Sequence, residues 1–163
     1  MLYIIIKFIC VLVVVCLVAT ILNTIDKKKF IRARFNNSID NLVLITLFND
    51  NKPFNFVLDT GSTYSILSKQ FKHQIKHTNN SGNTTVYGVD GNPTKAESIK
   101  TNISFSKTSK REYSLELEVI EFPGLTNLKN TYGIEIVGLL GHDFCKRFKA
   151  KIDYSKNILK LKV

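Results

Sequence analysis

The chain has 163 residues, 44% of them hydrophobic and 22% charged, and its 23 Lys and Arg against 13 Asp and Glu give a net charge of +10. Such a length, less an apolar leader, suits one domain and one core and excludes two. The positive charge suits anionic lipid or nucleic acid, but Arg and aromatic residues are not interleaved as a base-stacking surface requires, so no nucleic-acid partner is expected and most of the charge reads as a solvated surface.

Residues 2–22 are apolar almost throughout, with Lys7 the only charge. At about 1.5 Å per residue they cross a hydrocarbon layer of about 30 Å, which predicts a transmembrane helix with the lipid bilayer as its partner. Lys7 lies near enough to the end to place its ammonium at the interface. A secretory signal peptide is the competing reading, but no small-x-small cleavage site follows Leu22 and the run is long for such a leader. The expected organisation is an anchor over 1–26, a basic juxtamembrane segment and first strand over 27–40, and a domain over 41–163. The protein is thus expected to be a single-pass membrane protein. Lys27, Lys28, Lys29, Arg32 and Arg34 follow the span, and by the positive-inside rule they place the domain in the cytoplasm. In a chain so basic throughout that bias carries little weight, and the side of the membrane stays open. Cys10 and Cys16 fall in the apolar run, leaving Cys145 alone in the domain, so no disulfide is expected within it.

From Asn41 the pattern is that of strands. Asn41–Phe48 is rich in branched and aromatic residues and is stopped by the turn composition Asn49–Pro53, after which Phe54–Leu58 returns as a hairpin. A short strand over Tyr64–Leu67, a brief helix over Lys69–Ile75 and a polar loop over His77–Asn83 follow. The Asp90-Gly91 step between extended segments predicts a second hairpin, whose returning arm is Ala96–Phe105. Within Glu112–Phe122, polar or charged and apolar residues alternate from Ser114 to Val119, the mark of a strand with one wet face. Pro123, Gly124 and Gly133 read as a loop, Ile134–Gly141 as a strand, His142–Phe148 as a short helix, and the chain closes in a hairpin about Ser155-Lys156. Short strands with few helices predict an all-β domain.

One acid stands out. Asp59 lies at the end of the apolar run Phe56–Leu58 and begins Asp59-Thr60-Gly61-Ser62. A carboxylate there loses hydration unless the turn supplies amides and hydroxyls to replace it. On these residues alone, a catalytic acid and an Asx-type turn that merely satisfies local amides fit equally well.

The same tetrapeptide, followed near the C-terminus by Leu139-Leu140-Gly141 and a short helix, resembles the retropepsin-like (clan AA) aspartic protease family, of the bacterial and cellular single-domain type. The likeness extends through Leu139–Phe144 and Ile152–Leu161 and covers roughly 41–163. It implies an acid-protease barrel with one short helix near the C-terminus. Asp59 would be the catalytic acid, with Thr60, Gly61 and Ser62 supporting its loop and Leu139, Leu140 and Gly141 forming a ψ-shaped loop behind it. Tyr87, Gly88 and Gly91 fall where the family carries its substrate-covering flap. The resemblance further implies a peptide or protein substrate and hydrolysis by water held between two carboxylates, without metal or cofactor. Only one Asp-Thr-Gly occurs, so the second carboxylate would come from a second copy on a twofold axis.

The sequence departs from the viral members, which carry an acid where Thr63 stands and an arginine where His142 stands; both partners of that ion pair are replaced. A non-catalytic member of the same fold, tethered to the membrane as a peptide-binding or dimerisation module, is the alternative. His73 and His77 have helical i, i+4 spacing without the Glu of an HExxH zinc motif. His142, Asp143 and Cys145 read as packing with an N-terminal helix charge, and Ser62 lacks the frame of a serine nucleophile.

Overall fold

Branched and aromatic residues set the architecture of the computed structural model, which describes residues 12–20, 30–35, 42–88 and 91–162. Residues 12–20 form a helix, α1, with Leu12, Val13, Val14, Val15, Leu17 and Val18 exposed. Among the described residues no helix is long and apolar enough to cross a membrane. The remainder of the span expected over 2–22 lies outside those residues, as does the stretch 21–29.

Ten strands are described: β1 (Phe30–Arg34), β2 (Leu44–Asn49), β3 (Lys52–Leu58), β4 (Ile66–Ser68), β5 (His77–Tyr87), β6 (Pro93–Ile103), β7 (Tyr113–Ile120), β8 (Ile136–Leu140), β9 (Lys151–Asp153) and β10 (Ile158–Lys162). The first hairpin forms where the turn composition places it. Asn49 pairs with Lys52, and the two residues between them, Asp50 and Asn51, both take left-handed backbone (φ 49° and 63°). A two-residue link with both φ positive matches the twist of the strands it joins, and Asp and Asn tolerate it best after glycine.

The strands form a seven-stranded sheet in the order β2-β3-β8-β4-β7-β6-β5 and a three-stranded sheet in the order β1-β10-β9. β8 runs between β3 and β4, parallel to the first and antiparallel to the second, although β3 and β4 are neighbours in the chain. This crossover is the ψ shape. The main core lies between the sheets and includes Ile45, Phe56, Leu67, Ile99, Leu117, Leu140, Phe144, Leu159 and Leu161, none more than 1% exposed. The result is a mostly β half-barrel.

The C-terminal helix is present as α3 (His142–Arg147), but two segments differ from expectation. The stretch read as a loop about Pro123, Gly124 and Gly133 contains a helix, α2 (Gly124–Tyr132). Those residues bound it rather than break it: Pro123 precedes the first turn, and Gly133 closes it at φ 68°, its N–H donating to Lys129 O. Leu125, buried against Leu44, Val57 and Ile136, docks it on the sheet. His77–Asn83, read as polar loop, is the first half of β5, paired with β6 from His77↔Thr101 onward through a register shift between Asn79 and Asn83. Its residues lack apolar alternation, and strand pairing rather than burial makes it extended. The brief helix is a 3-10 turn, Lys69–Gln74. β1, within the basic stretch, is paired residue for residue with β10, from Phe30↔Lys162 to Arg34↔Ile158.

Candidate active site

β3 is apolar at Phe56, Val57 and Leu58 because both faces of that strand are covered. It ends at the half-buried Asp59, whose N–H donates to Leu140 O at 2.9 Å. Leu58↔Leu140 is the last pair of the parallel β3–β8 ladder, so the ψ crossover fixes the acid's backbone. The loop then turns tightly. Ser62 N–H donates to Asp59 O at 3.2 Å, and Gly61 N–H donates to Asp59 Oδ1 at 3.0 Å. The Gly61 amide offers what the sequence asked of the turn, compensation for a carboxylate at the end of a strand, while the Ser62 amide closes the turn on the main-chain carbonyl. A Cβ on Gly61 would lie 3.3 Å from that Oδ1 and crowd the carboxylate. Oδ2 makes no hydrogen bond among the described residues. Thr60 is exposed, and Ser62 Oγ donates to Tyr64 O at 2.8 Å rather than to the carboxylate.

Leu139, Leu140 and Gly141 lie directly behind this loop. Leu140 is wholly buried in the main core, and Leu139 faces the other side of the sheet. Glycine is demanded twice by close backbone approach. A Cβ at Gly138 would meet Ile66 O at 2.0 Å, and one at Gly141 would meet Tyr64 O at 2.5 Å and Ser62 O at 2.9 Å. Neither separation is tolerable, and both contacts are with main chain that cannot step aside.

The loop is also tied to α3 through two residues to which the sequence gave no role in the site. Asp143 accepts from Ser65 N–H (2.9 Å) and Ser65 Oγ–H (2.7 Å), and the Ser65 hydroxyl in turn accepts from Gly141 N–H (3.1 Å). Ser65 is fully buried, and its carbonyl accepts from Glu118 N–H on β7. Asp143 keeps the helix-start role expected of it, accepting from Phe144 N–H, but its other contacts make it a clamp on the acidic loop. A signal was available: a Ser six residues after Asp59 and an Asp two after Gly141 are both polar among apolar neighbours. Where viral members use an ion pair, this chain uses main chain: His142 N–H donates to Ser62 O at 2.7 Å and Asp143 N–H to Thr63 O at 3.2 Å, with both side chains at 63 and 142 exposed. Burial pushes the Cys145 thiol up from its ordinary value, and Asp143 adds to the effect.

Tyr87, Gly88 and Gly91 lie at the tip of the β5–β6 hairpin, where Gly91 N–H donates to Gly88 O at 3.0 Å and Gly91 adopts φ 73°. The expected turn residue Asp90 lies outside the described residues. Tyr87 is 68% exposed. Lower down, Val86 and Ala96 pack with Ile66, against Leu139, Ile120 and Phe122, which brings the hairpin base onto the same apolar face as the ψ loop. Ser98 Oγ, on that base, lies 2.7 Å from both oxygens of the buried Glu118 carboxylate, to which it donates. His73 and His77 share no helix face: His73 lies in the last turn of the 3-10 segment while His77 begins β5 and its Nδ1 lies 2.7 Å from Ile75 O. Surface cavities of about 220 Å³ and 400 Å³ are not lined by Asp59.

A half-barrel whose acidic Asp-Thr-Gly loop is threaded by a ψ crossover defines a retropepsin-like aspartic protease. The chain belongs to the aspartyl protease family, whose profile matches residues 44–144, more than half of its length. No curated protein sequence matches it. Among solved structures it is similar to the EIAV protease in complex with the inhibitor HBY-793, at 21% identity and a TM-score of 0.51, covering 71% of this chain and 96% of that one. A retropepsin-like aspartic protease from Rickettsia conorii matches at 21% identity and a TM-score of 0.47, covering 81% of this chain and 89% of that one.

Proposed function

We propose that the chain is an aspartic endopeptidase that hydrolyses peptide bonds as a homodimer, anchored in a membrane by residues 2–22. The observation that carries this reading is the Asp59 carboxylate, held through Oδ1 by Gly61 N–H on a loop pinned by the ψ crossover, with Oδ2 unpartnered among the described residues. One such acid cannot both activate water and polarise a carbonyl. Two of them across a twofold axis can: like charges so close cannot both ionise readily, and the pair shares a proton. The ionised member takes a proton from the bound water as it attacks the scissile carbonyl, and the protonated member hydrogen-bonds the developing oxyanion. The Tyr87–Gly91 tip is the moving cover over the bound peptide.

The edges of the small sheet suggest how two copies meet. β10 is already flanked by β1 and β9 within one chain, so only the outer edges of β1 and β9 are open among the described residues. Antiparallel pairing of β1 with its copy about Arg32 would set Arg32 against Arg32. Pairing of β9 about Ile152 sets Lys151 against Asp153 of the copy twice over, and opposite charges are favoured in cross-strand pairs. The β9 edge is therefore the self-complementary one.

Peptide cleavage by the full chain, followed against chain concentration and with pepstatin, tests the proposal. Activity per chain should rise with concentration to a plateau, and Asp59→Asn should lower it roughly 10²- to 10⁴-fold. Undiminished cleavage by Asp59→Asn, or a rate per chain that stays constant on dilution well below the dimer dissociation constant, would sink the shared-acid reading. Peptide binding without turnover by the unmodified chain would mark a non-catalytic module instead.

A further inference from the structure

The outer face of the small sheet gathers positive charge. Side chains alternate across a strand. Ile31, Ile152, Leu159 and Leu161 therefore point inward, the two leucines fully buried and the two isoleucines packed on the main core. By the same alternation Arg32, Arg34, Lys151, Lys160 and Lys162 occupy the opposite face. The register sets Arg32 beside Lys160 and Lys160 beside Lys151, a row of three cations across all three strands. Like charges directly opposite one another destabilise a sheet. None of the five joins an ion pair among the described residues. The one acid of the face, Asp153, is engaged by Ser155 Oγ–H and Lys156 N–H. Beyond the attraction between Lys160 and Asp153, folding gives no reason to collect these cations in one place, whereas an anionic surface does.

The chain leading into β1 indicates which surface. α1 exposes six large apolar side chains, and from residue 20 to Phe30 is ten residues, a reach of at most roughly 35 Å. Whatever bilayer takes up the apolar segment is thereby held close to the strand that carries Arg32 and Arg34, at high effective concentration. We infer that the outer face of the β1-β10-β9 sheet docks on the anionic headgroups of the membrane that holds the N-terminal segment. The inference rests on the anchor reading of residues 2–22. Joining two copies through β9 about a twofold perpendicular to the sheet keeps both basic faces on one side, so the dimer presents Arg32, Arg34, Lys160 and Lys162 twice over to a single surface.

The test uses the full chain reconstituted in vesicles of phosphatidylcholine alone or with phosphatidylglycerol, and reads the acetylation rate of individual lysines by mass spectrometry. Lys151, Lys160 and Lys162 should react roughly fivefold or more slowly in the anionic vesicles and recover at high salt, while the exposed Lys52 and Lys95 do not change. Arg32→Glu combined with Arg34→Glu should abolish the protection. Equal reactivity of the three lysines in both vesicles overturns the docking face, as does protection by single-stranded RNA with none from anionic lipid. Release of the chain from neutral vesicles by a high-salt wash overturns the anchor and the docking face with it, an outcome distinct from a chain that stays inserted with its lysines unprotected.

Discussion

The loop that carries Asp59 and the hairpin that carries Tyr87 come from the same seven-stranded sheet, yet they are built on opposite terms. The loop exchanges hydrogen bonds with the end of β8, with α3 and within its own turn, and glycines at 138 and 141 let main chain pack against main chain. Among the described residues the hairpin tip has one turn hydrogen bond and a weaker one beside it, an exposed tyrosine, and a glycine with nothing within 4 Å of where its Cβ would be. On the proposed function the contrast has a reason, since an acid must be held in place to work and a cover must move to admit substrate. The constraint is spent where the carboxylate is.

The sharpest way to break this contrast is to put the same methyl group in each region. Gly138→Ala places a Cβ 2.0 Å from Ile66 O, and a loss of more than about 4 kcal/mol is expected, read as failure to fold or a collapse of the thermal midpoint. Asp143→Ala comes next. It strips the Ser65 amide and hydroxyl of their acceptors, for a cost of about 2–4 kcal/mol in urea unfolding together with loss of cleavage, whereas Asp143→Asn keeps an acceptor and should cost less. At the hairpin, Gly91→Ala meets only the left-handed backbone at φ 73°, about 1–2 kcal/mol at a site open to solvent. If substitution at position 91 proves as damaging as at 138, the tip is not the loose element described.

The smallest effect belongs to Asp153, remote from both. The Ser155 hydroxyl foremost, then Lys156 N–H and the Lys156 and Lys160 charges, hold its carboxyl below the ordinary value of 3.8. A depressed folded value stabilises above the unfolded value and ceases to do so as pH falls through the folded one. The difference in thermal midpoint between the protein and Asp153→Asn should therefore be constant at neutral pH and close below about pH 4. Screening by solvent keeps it small.

Legibility in the sequence followed the same division. Strands that bury apolar side chains announced themselves: the β2–β3 hairpin, the alternation of β7 and the closing hairpin all lie where their residues placed them. The first half of β5 did not, because an arm held by pairing alone leaves no apolar period to read. α2 hid behind Pro123, Gly124 and Gly133, residues that bound a helix as readily as they form a loop. Ser65 and Asp143 went unassigned as site residues because 78 positions separate them, and only the crossover of β8 between β3 and β4 brings the hydroxyl and the carboxylate within 2.7 Å.

The sequence by itself determined that the chain has one Asp-Thr-Gly loop, one later Leu-Leu-Gly and a mostly β domain, since these depend on local residue types and short periods. Tertiary structure alone decided what stands behind Asp59, which glycines cannot be replaced, and which cations share a face. Those depend on strand order and register, where residues far apart in the chain become neighbours and a shift of one residue would turn every side chain to the other side.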